Sequence, residues 1–312
     1  MNTIAVVLEG PERLALAPVE LLPPGDDDVV VDIEWSGIST GTERLLWSGR
    51  MPAFPGMGYP LVPGYESVGR IQAAGPKATG RQVGDRVFVP GSRGFSNVRG
   101  LFGGAAARVV LPAARAIPVA ESLGEEAVLL ALAATAQHAI AGGPVPPDLV
   151  VGHGVLGRLL ARLIVAAGHP PPTVWETNPD RQGGADGYRV CHPDADERRD
   201  YRAICDVSGD AKILDQLIAR LAPGGEVILA GFYSEISFQF APAFMREARL
   251  RVAAEWREAD LTRVLELLNA GKLSLAGLIT HREPARAADA AYRTAFGDPA
   301  CLKMILDWRS VA

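Results

Sequence analysis

The chain has 312 residues, 48% of them hydrophobic and 21% charged, with a formal net charge of −5. That length is more than one core usually serves, so two domains are expected. The mild negative charge, with no Lys/Arg block, excludes an electrostatic footprint for nucleic acid.

Cys191, Cys205 and Cys301 are scattered and odd in number. They match neither a disulfide framework nor a zinc-ligand spacing, which points to a reducing, cytoplasmic setting. No basic segment followed by an apolar core opens the chain, so no signal peptide is expected. The longest apolar run, AVLLALAATA, is too short to span a bilayer.

The first third reads as strands: IAVVLEG, LALAPVEL, VVVDIEWSG, SVGRIQAAG, DRVFVP and AAARVVLP, punctuated by Gly and Pro. Only the stretch around Glu43–Leu46 looks helical, so a folded-over, barrel-like β domain is expected. The texture changes near Glu121. SLGEEAVLLALAATAQHAIAGG opens on a Ser N-cap with Glu in the first turns and closes on paired glycines, which predicts a helix. Then come the strand PDLVVG, a helix through Ala167 and the strand TVWET. AICDVSG, AKILDQLIARLAPGG, EVILAGF and LRVAAEW follow as strand, helix, strand, strand, an alternation that predicts a parallel sheet under helices. ADLTRVLELLNAG and ARAADAAYRTAFG carry helical periods in the tail, and LKMILDW closes as a strand. The expected division is a β-rich domain from 1–131 and 257–312, with an α/β, doubly wound domain from 132–256.

VVGHGVLGRLLARLIVAAG holds Gly152, Gly154 and Gly157 in the spacing G-x-G-x-x-G, between a predicted strand and a predicted helix. Gly152 permits the tight turn, Gly154 lets the backbone approach a pyrophosphate, and Gly157 allows helix–strand packing. The helix N-terminus, with His153, Val155 and Leu156 in the turn, offers free N–H groups to phosphate. His153 is expected to be a tolerated surface residue there rather than a catalyst. At the end of the second strand stands Glu176, an acid placed to bind ribose hydroxyls and repel a 2′-phosphate, which favours NAD over NADP. Arg181 nearby weakens that preference, because it could take a phosphate. Ser208, Gly231 and Phe232, in AICDVSG and EVILAGF, complete the candidate cofactor set. An ordinary Gly-rich turn of an α/β sheet is the competing reading.

The chain resembles the medium-chain dehydrogenase/reductase superfamily over essentially its whole length. GISTGTE resembles that family's Gly-Ile-Cys-Gly-Thr-Asp with one residue inserted, and VPGYESVGRI its Val-Pro-Gly-His-Glu-x-x-Gly. VGDRVFV resembles its Gly-Asp-x-Val strand, and ALAATAQHAI the helix that carries Thr135 toward nicotinamide. The resemblance implies a GroES-like β-rich catalytic domain beside a Rossmann domain. Zinc enzymes of the superfamily use a Cys, a His and a second Cys or acid; the matching positions hold Ser39 or Thr40, Tyr65 and Ala131, a poor ligand set. The four-cysteine structural lobe has no counterpart in PGSRGFSNVRGLFGG. No metal is therefore expected.

DIEWSGISTGTERLLWSGRMPAFPGMGYPLVPGYESVG is similar, more closely, to zinc-free members that oxidise the 3-(1-hydroxyethyl) group of a bacteriochlorin to acetyl in bacteriochlorophyll biosynthesis. That likeness implies a tetrapyrrole substrate; the residues alone reach only NAD-dependent, metal-free alcohol oxidation or its reverse. By the family match Thr42 takes the proton-relay hydroxyl and Tyr65 faces the reacting oxygen. Ser39 or Thr40 adds a second hydrogen bond. Glu66 or Glu43 tunes the local charge or forms a salt bridge to Lys303 or an Arg. Trp47, Met51, Phe54, Met57 and Tyr59, interleaved with Pro and Gly, either line a flat apolar pocket or pack the β-domain core. Arg44 and Arg50 either meet a tetrapyrrole carboxylate or stay solvated. A zinc-free quinone-reductase-like enzyme and a non-catalytic nucleotide-binding module are the alternatives. A homodimer and peripheral membrane contact stay open.

Overall fold

The structure is a computed structural model that describes residues 1–311. It divides into two units, Met1–Ala131 with Leu278–Ala312 and Leu132–Gly277. The expected return to the first unit at 257 thus comes later, at Leu278. The reason is local to the second unit. His138 Nδ1 meets Asp260 Oδ2 at 2.9 Å, and Arg162 donates to the Ser274 and Ala276 carbonyls at 2.9 Å each.

The first unit opens with β1 (Asn2–Gly10), β2 (Arg13–Glu20), β3 (Asp28–Gly37), α1 (Thr42–Trp47), β4 (Ser67–Ala74), β5 (Arg86–Val89), β6 (Arg108–Pro112) and β7 (Ile117–Pro118). The second unit holds α2 (Leu130–Ala141, beginning in the first), β8 (Leu149–Val151), α3 (Val155–Ala166), β9 (Thr173–Trp175), β10 (Arg189–Cys191) and β11 (Tyr201–Asp206). It continues through α4 (Leu214–Ile218), β12 (Leu221–Leu229), α5 (Phe240–Met245), β13 (Arg249–Val252) and α6 (Glu258–Asn269). The chain then returns to the first unit with β14 (His281–Pro284), α7 (Ala288–Gly297) and β15 (Met304–Asp307).

In the first unit β1 and β2 pair as an antiparallel hairpin. The larger sheet runs β14-β15-β3-β4-β5-β7, with β6 also on β3. β3 is central because its three valines are buried on both faces, Val29 and Val31 at 0% exposure on one and Val30 at 3% on the other. It accepts β4, β6 and β15 antiparallel. Lys303, just before β15, and Tyr292 in α7 are thereby brought beside the loop that leaves β3. The sequence pattern missed β14, a short HREP strand of polar residues.

The second unit is a parallel six-stranded sheet in the order β10-β9-β8-β11-β12-β13. Strand order reverses between β8 and β11, the topological switch where ligands of doubly wound sheets bind. Two crossovers, β9 to β10 and β10 to β11, contain only short 3₁₀ turns. After β10 a buried polar anchor stands in for a helix: Trp175 Nε1 and Tyr201 Oη each donate to Asp196 Oδ2 at 2.6 Å.

Two predicted elements differ. The helix expected from Ser122 is a 3₁₀ segment, Glu121–Leu129, interrupted at Gly124 (φ +50°), and the regular α-helix begins only at Leu130. No Ser side chain caps it. AKILDQLIARLAPGG keeps only the five residues of α4 as helix, because Leu221 already pairs with Tyr201 as the start of β12. Among the described residues no helix is long and apolar enough to cross a membrane.

Candidate active site

The loop after β3 and the short segment before β4 converge in the first unit. Gly64, at φ +96°, turns the chain where a Cβ would come within 2.8 Å of the Ala105 amide, so only glycine fits. That turn presents Tyr65 and Glu66 to different partners. The Tyr65 phenol lies 2.7 Å from Ser39 Oγ and 3.3 Å from Thr42 Oγ1. Its ring packs edge-on against Phe102, centroids 5.2 Å apart. Ser39 is buried and Thr42 half-buried; Thr40, the other sequence candidate, is exposed. Burial pushes the Tyr65 phenol well above its usual value, with the negative charge of Glu66 adding to it and the Ser39 and Thr42 hydrogen bonds opposing. The phenol is therefore protonated at neutral pH.

Glu66 is fully buried and meets the Lys303 ammonium, which also donates to the Ile38 carbonyl at 3.0 Å. Lys303 is 1% exposed. Burial raises the Glu66 carboxyl and the ammonium pulls it back. The salt bridge weighed in the sequence is thus present, on Glu66 rather than Glu43. The other Glu66 oxygen, Oε1, has no hydrogen-bond partner among the described residues.

Glu43, also fully buried, has separate contacts. Its Oε1 accepts from the Ser39 amide at 3.2 Å, and its Oε2 accepts from the Tyr292 hydroxyl. This carboxyl therefore holds the Ser39 loop in place. Burial lifts it from 4.5 to about 7, the Tyr292 hydrogen bond opposing and the Glu66 charge assisting. A carboxyl that binds its proton more tightly when folded favours the folded state below its unfolded value and loses that advantage as pH rises through the folded value. Stability is accordingly expected to fall between pH 4.5 and about 7. A displacement of this size is worth up to ~3 kcal/mol. Glu43→Gln keeps an acceptor for Ser39 and a donor for Tyr292, so it should flatten the decline in Tm across that window. A Tm profile identical to wild type would refute the assignment.

Of the residues flagged for an apolar pocket, Trp47, Met51, Met57 and Tyr59 pack on the small buried cluster of Leu8, Leu46 and Leu61. Tyr59 donates to the Leu46 carbonyl, and Trp47 packs on Phe296 with centroids 5.6 Å apart. Phe54 is exposed, as are Arg44 and Arg50, and Arg50 Nε bonds Ser48 Oγ at 3.1 Å. The structure thus gives four of these side chains a packing role. Phe102, beside Tyr65, and Tyr292, beneath Ser39, went unnoticed in the sequence. Tyr292 lies 249 residues from its partner, and nothing local to either residue signals the contact.

In the second unit Gly152 takes φ +102°, and a Cβ on Gly157 would strike the Gly152 carbonyl. A Cβ on Gly154, the N-cap of α3, would meet nothing within 4 Å. The backbone at the start of α3 is thus open to close approach at Gly154, as a pyrophosphate requires. Val155 and Leu156 begin the helix. Glu176 ends the strand as expected, its carboxylate accepting from the His153 amide at 3.1 Å and the Asn178 amide at 2.8 Å. Those bonds fix the carboxylate while leaving lone pairs for ribose hydroxyls. The donor set fits a dinucleotide.

Ser208 and Gly231 stand beside that turn, both tied to Asp206: Ser208 N donates to its Oδ1 at 2.9 Å and Gly231 N to its carbonyl at 3.1 Å. Phe232 is 49% exposed. Thr135 lies half-buried on α2, and the Arg181 carbonyl is turned inward as an acceptor. His153 corrects the sequence reading. It is no surface residue but fully buried, its ring bonded to the Arg181 carbonyl and the Tyr188 hydroxyl. The position inside a glycine turn suggested exposure; the loop after β9 covers it.

A family model, the alcohol dehydrogenase GroES-like domain, matches residues 25–121. The 2-desacetyl-2-hydroxyethyl bacteriochlorophyllide A dehydrogenase of Cereibacter sphaeroides is 58% identical over 319 aligned positions, covering 100% of both chains. The chain belongs to this family of dehydrogenases. The Rhodobacter capsulatus protein of the same name is also 58% identical, over 99% of each chain. An alcohol dehydrogenase from E. coli CFT073 complexed with NADH shares the fold at a TM-score of 0.84 and 21% identity, covering 98% of this chain and 99% of that one. As a bacteriochlorophyllide dehydrogenase by family, the protein is an oxidoreductase acting on CH–OH, and its two-unit α/β architecture is that of the medium-chain superfamily. Among the described residues no group of three or more His, Cys, Asp or Glu is arranged to hold a metal ion.

Proposed function

We propose that this protein oxidises the hydroxyethyl group of a bacteriochlorophyllide to acetyl in bacteriochlorophyll biosynthesis, with NAD as hydride acceptor and with hydroxyl groups in place of a metal at the reacting oxygen. The observation that carries the chemistry is the cluster in which Tyr65 meets Ser39 at 2.7 Å and Thr42 at 3.3 Å. The full-length likeness to two bacteriochlorophyllide dehydrogenases supports the substrate. Gly152–Gly157 and Glu176 would hold the dinucleotide, which when bound supplies the carbon that accepts hydride.

The rest of the reaction falls to this chain's own groups. Tyr65, kept protonated by burial, orients the substrate hydroxyl and passes its proton on rather than abstracting it outright. Ser39 fixes the phenol from the buried side, and the less buried Thr42 relays the proton, accepting it while giving its own hydroxyl proton to solvent water. A carbonyl formed next to the macrocycle is conjugated with it, which lowers the demand for Lewis-acid assistance. Phe102 and the exposed Phe54 offer apolar surface to a flat ring. The three cysteines are free thiols, which supports the reading of a cytoplasmic enzyme.

The direct test records the visible spectrum of a hydroxyethyl bacteriochlorin incubated with the protein and NAD, where conversion to the acetyl pigment is expected. No turnover with this or any other alcohol would leave only a nucleotide-binding module. Cofactor choice is tested separately. Glu176 beside a 2′-phosphate is repulsive, so NAD should bind about tenfold or more tightly than NADP, a difference of ~1.4 kcal/mol or more. Glu176→Ala should weaken NAD, and Glu176→Lys should shift the preference toward NADP; equal wild-type affinities would refute the assignment.

The assembly we propose is a homodimer through β13, the edge strand of its sheet, where Leu250 and Val252 are exposed and Phe240, Phe244 and Met245 of α5 are too. Sedimentation should give a dimer that Val252→Lys converts to monomer. A wild-type monomer would end this proposal.

A further inference from the structure

Doubly wound sheets ordinarily return from the second strand to the third through a helix, which packs the ribose-binding turn in place. Residues 176–188 have no such helix. They contain one 3₁₀ turn, Pro179–Arg181, and Gly183, Gly184 and Gly187, the last two at positive φ. Residues 183–187 are all exposed. This segment has almost no apolar core of its own, so something else must hold it.

The holding groups come from the phosphate turn and the first turn of α3. His153 N donates to Glu176 Oε2 at 3.1 Å, and its ring Nδ1 lies 2.6 Å from the Arg181 carbonyl. A carbonyl only accepts, so Nδ1 carries the proton and Nε2 accepts from the Tyr188 hydroxyl at 2.8 Å. Burial lowers the ring to about 4, which keeps it in this neutral form at working pH. Buried Arg158 completes the arrangement, donating to the carbonyls of His153 at 3.1 Å, Arg181 at 3.0 Å and Gly184 at 3.2 Å. Both ends of the segment are thereby fixed to the glycine turn by polar contacts, and the Arg181 carbonyl is held twice.

We infer that His153, with Arg158 and Tyr188, is a latch that positions the ribose-recognising turn Glu176–Arg181 against the phosphate-recognising turn Gly152–Gly157, and so sets affinity for the dinucleotide. His153 is here a positioning residue, since its ring acts through the Arg181 carbonyl and Tyr188 while its backbone amide holds Glu176. The inference rests on the reading that this turn binds NAD. It adds a reason for a histidine inside a glycine motif, where a small or apolar side chain would lose the ring's two contacts and leave residues 176–188 held by Arg158 and the residue-153 amide alone.

The test measures NAD affinity by titration and steady-state kinetics on the whole chain. Tyr188→Phe removes one oxygen and keeps the ring; His153→Ala removes both ring contacts. Loss of one buried hydrogen bond is worth about tenfold if all of it is felt in binding. Tyr188→Phe should therefore raise the Kd and KM for NAD up to about tenfold and His153→Ala further, with kcat and the pigment KM changed less than about twofold. Cleavage by trypsin after Arg181 should accelerate in both. If kcat and Tm fall and both KM values rise together, the residues are merely structural and the inference fails. Unchanged NAD affinity in the variants overturns it as well. Should His153→Ala not fold, hydrogen exchange on the wild type decides: NAD is expected to slow exchange across residues 177–188, and no slowing overturns the latch. A wild type that binds no NAD at all would instead overturn the cofactor reading.

Discussion

Replacing Tyr65 by Phe is expected to lower kcat by ~10²–10⁴-fold, the usual cost of losing a positioned acid–base contact. The substitution removes only the oxygen. The ring that packs on Phe102 at 5.2 Å remains, so the turn between Val62 and Ser67 keeps its shape. Ser39 and Thr42, which share that oxygen at 2.7 and 3.3 Å, lose their common partner and with it the fixed path for the substrate proton. NAD affinity should not move, because every proposed cofactor contact lies elsewhere in the chain. Near-normal kcat would show that Tyr65 only fills the place taken by a metal-binding histidine in zinc relatives. Thr42→Val on the same background separates the two hydroxyls: if Thr42 relays the proton to water, it should slow the wild type but add little to Tyr65→Phe.

The second large effect concerns stability. Lys303→Met should destabilise the chain by ~3–5 kcal/mol, the range found when one member of a buried ion pair is removed. The penalty arises because Glu66, with no exposure and one oxygen without a hydrogen-bond partner among the described residues, loses the ammonium that balances its charge. Denaturant titration measures it. Adding Glu66→Gln to Lys303→Met should recover a substantial part, since the uncompensated charge is then gone. A loss below about 1 kcal/mol for the single variant would mean that the pair carries little coupling.

What was legible in the sequence was mostly local. The strand, glycine turn and helix at residues 149–166 form a single stretch whose periodicity and spacing are written together, and Glu176 follows one strand later. The loop Ser39–Thr42 and the pair Tyr65–Glu66 were found through family likeness, because hydroxyl groups on two loops have no spacing rule of their own. Lys303 could be suspected, since a buried acid needs a cation and the chain has few lysines. Tyr292 could not: its contact with Glu43 depends on α7 being laid against α1 by the β3–β15 pairing. Gly124 broke a helix whose composition argued for continuity, because its φ of +50° ends the run regardless of neighbouring propensities. His153 was misjudged for a related reason. Whether a side chain in a turn is exposed depends on what later folds over it, and residues 176–188 do so without any apolar pattern to announce it.

The first unit is interrupted in sequence, and this bears on how the chain is made. Strands β1–β7 leave the ribosome early, yet Glu66 and Glu43 wait for Lys303 and Tyr292, 237 and 249 residues downstream. The second unit, a continuous stretch, can fold during that interval as domains generally do in synthesis. Nascent chains halted before residue 303 would carry a buried acid with no counter-charge, so their β-rich portion should remain open to proteases while the nucleotide unit is already resistant. Catalytic competence, on this order of events, arrives only with the last strand.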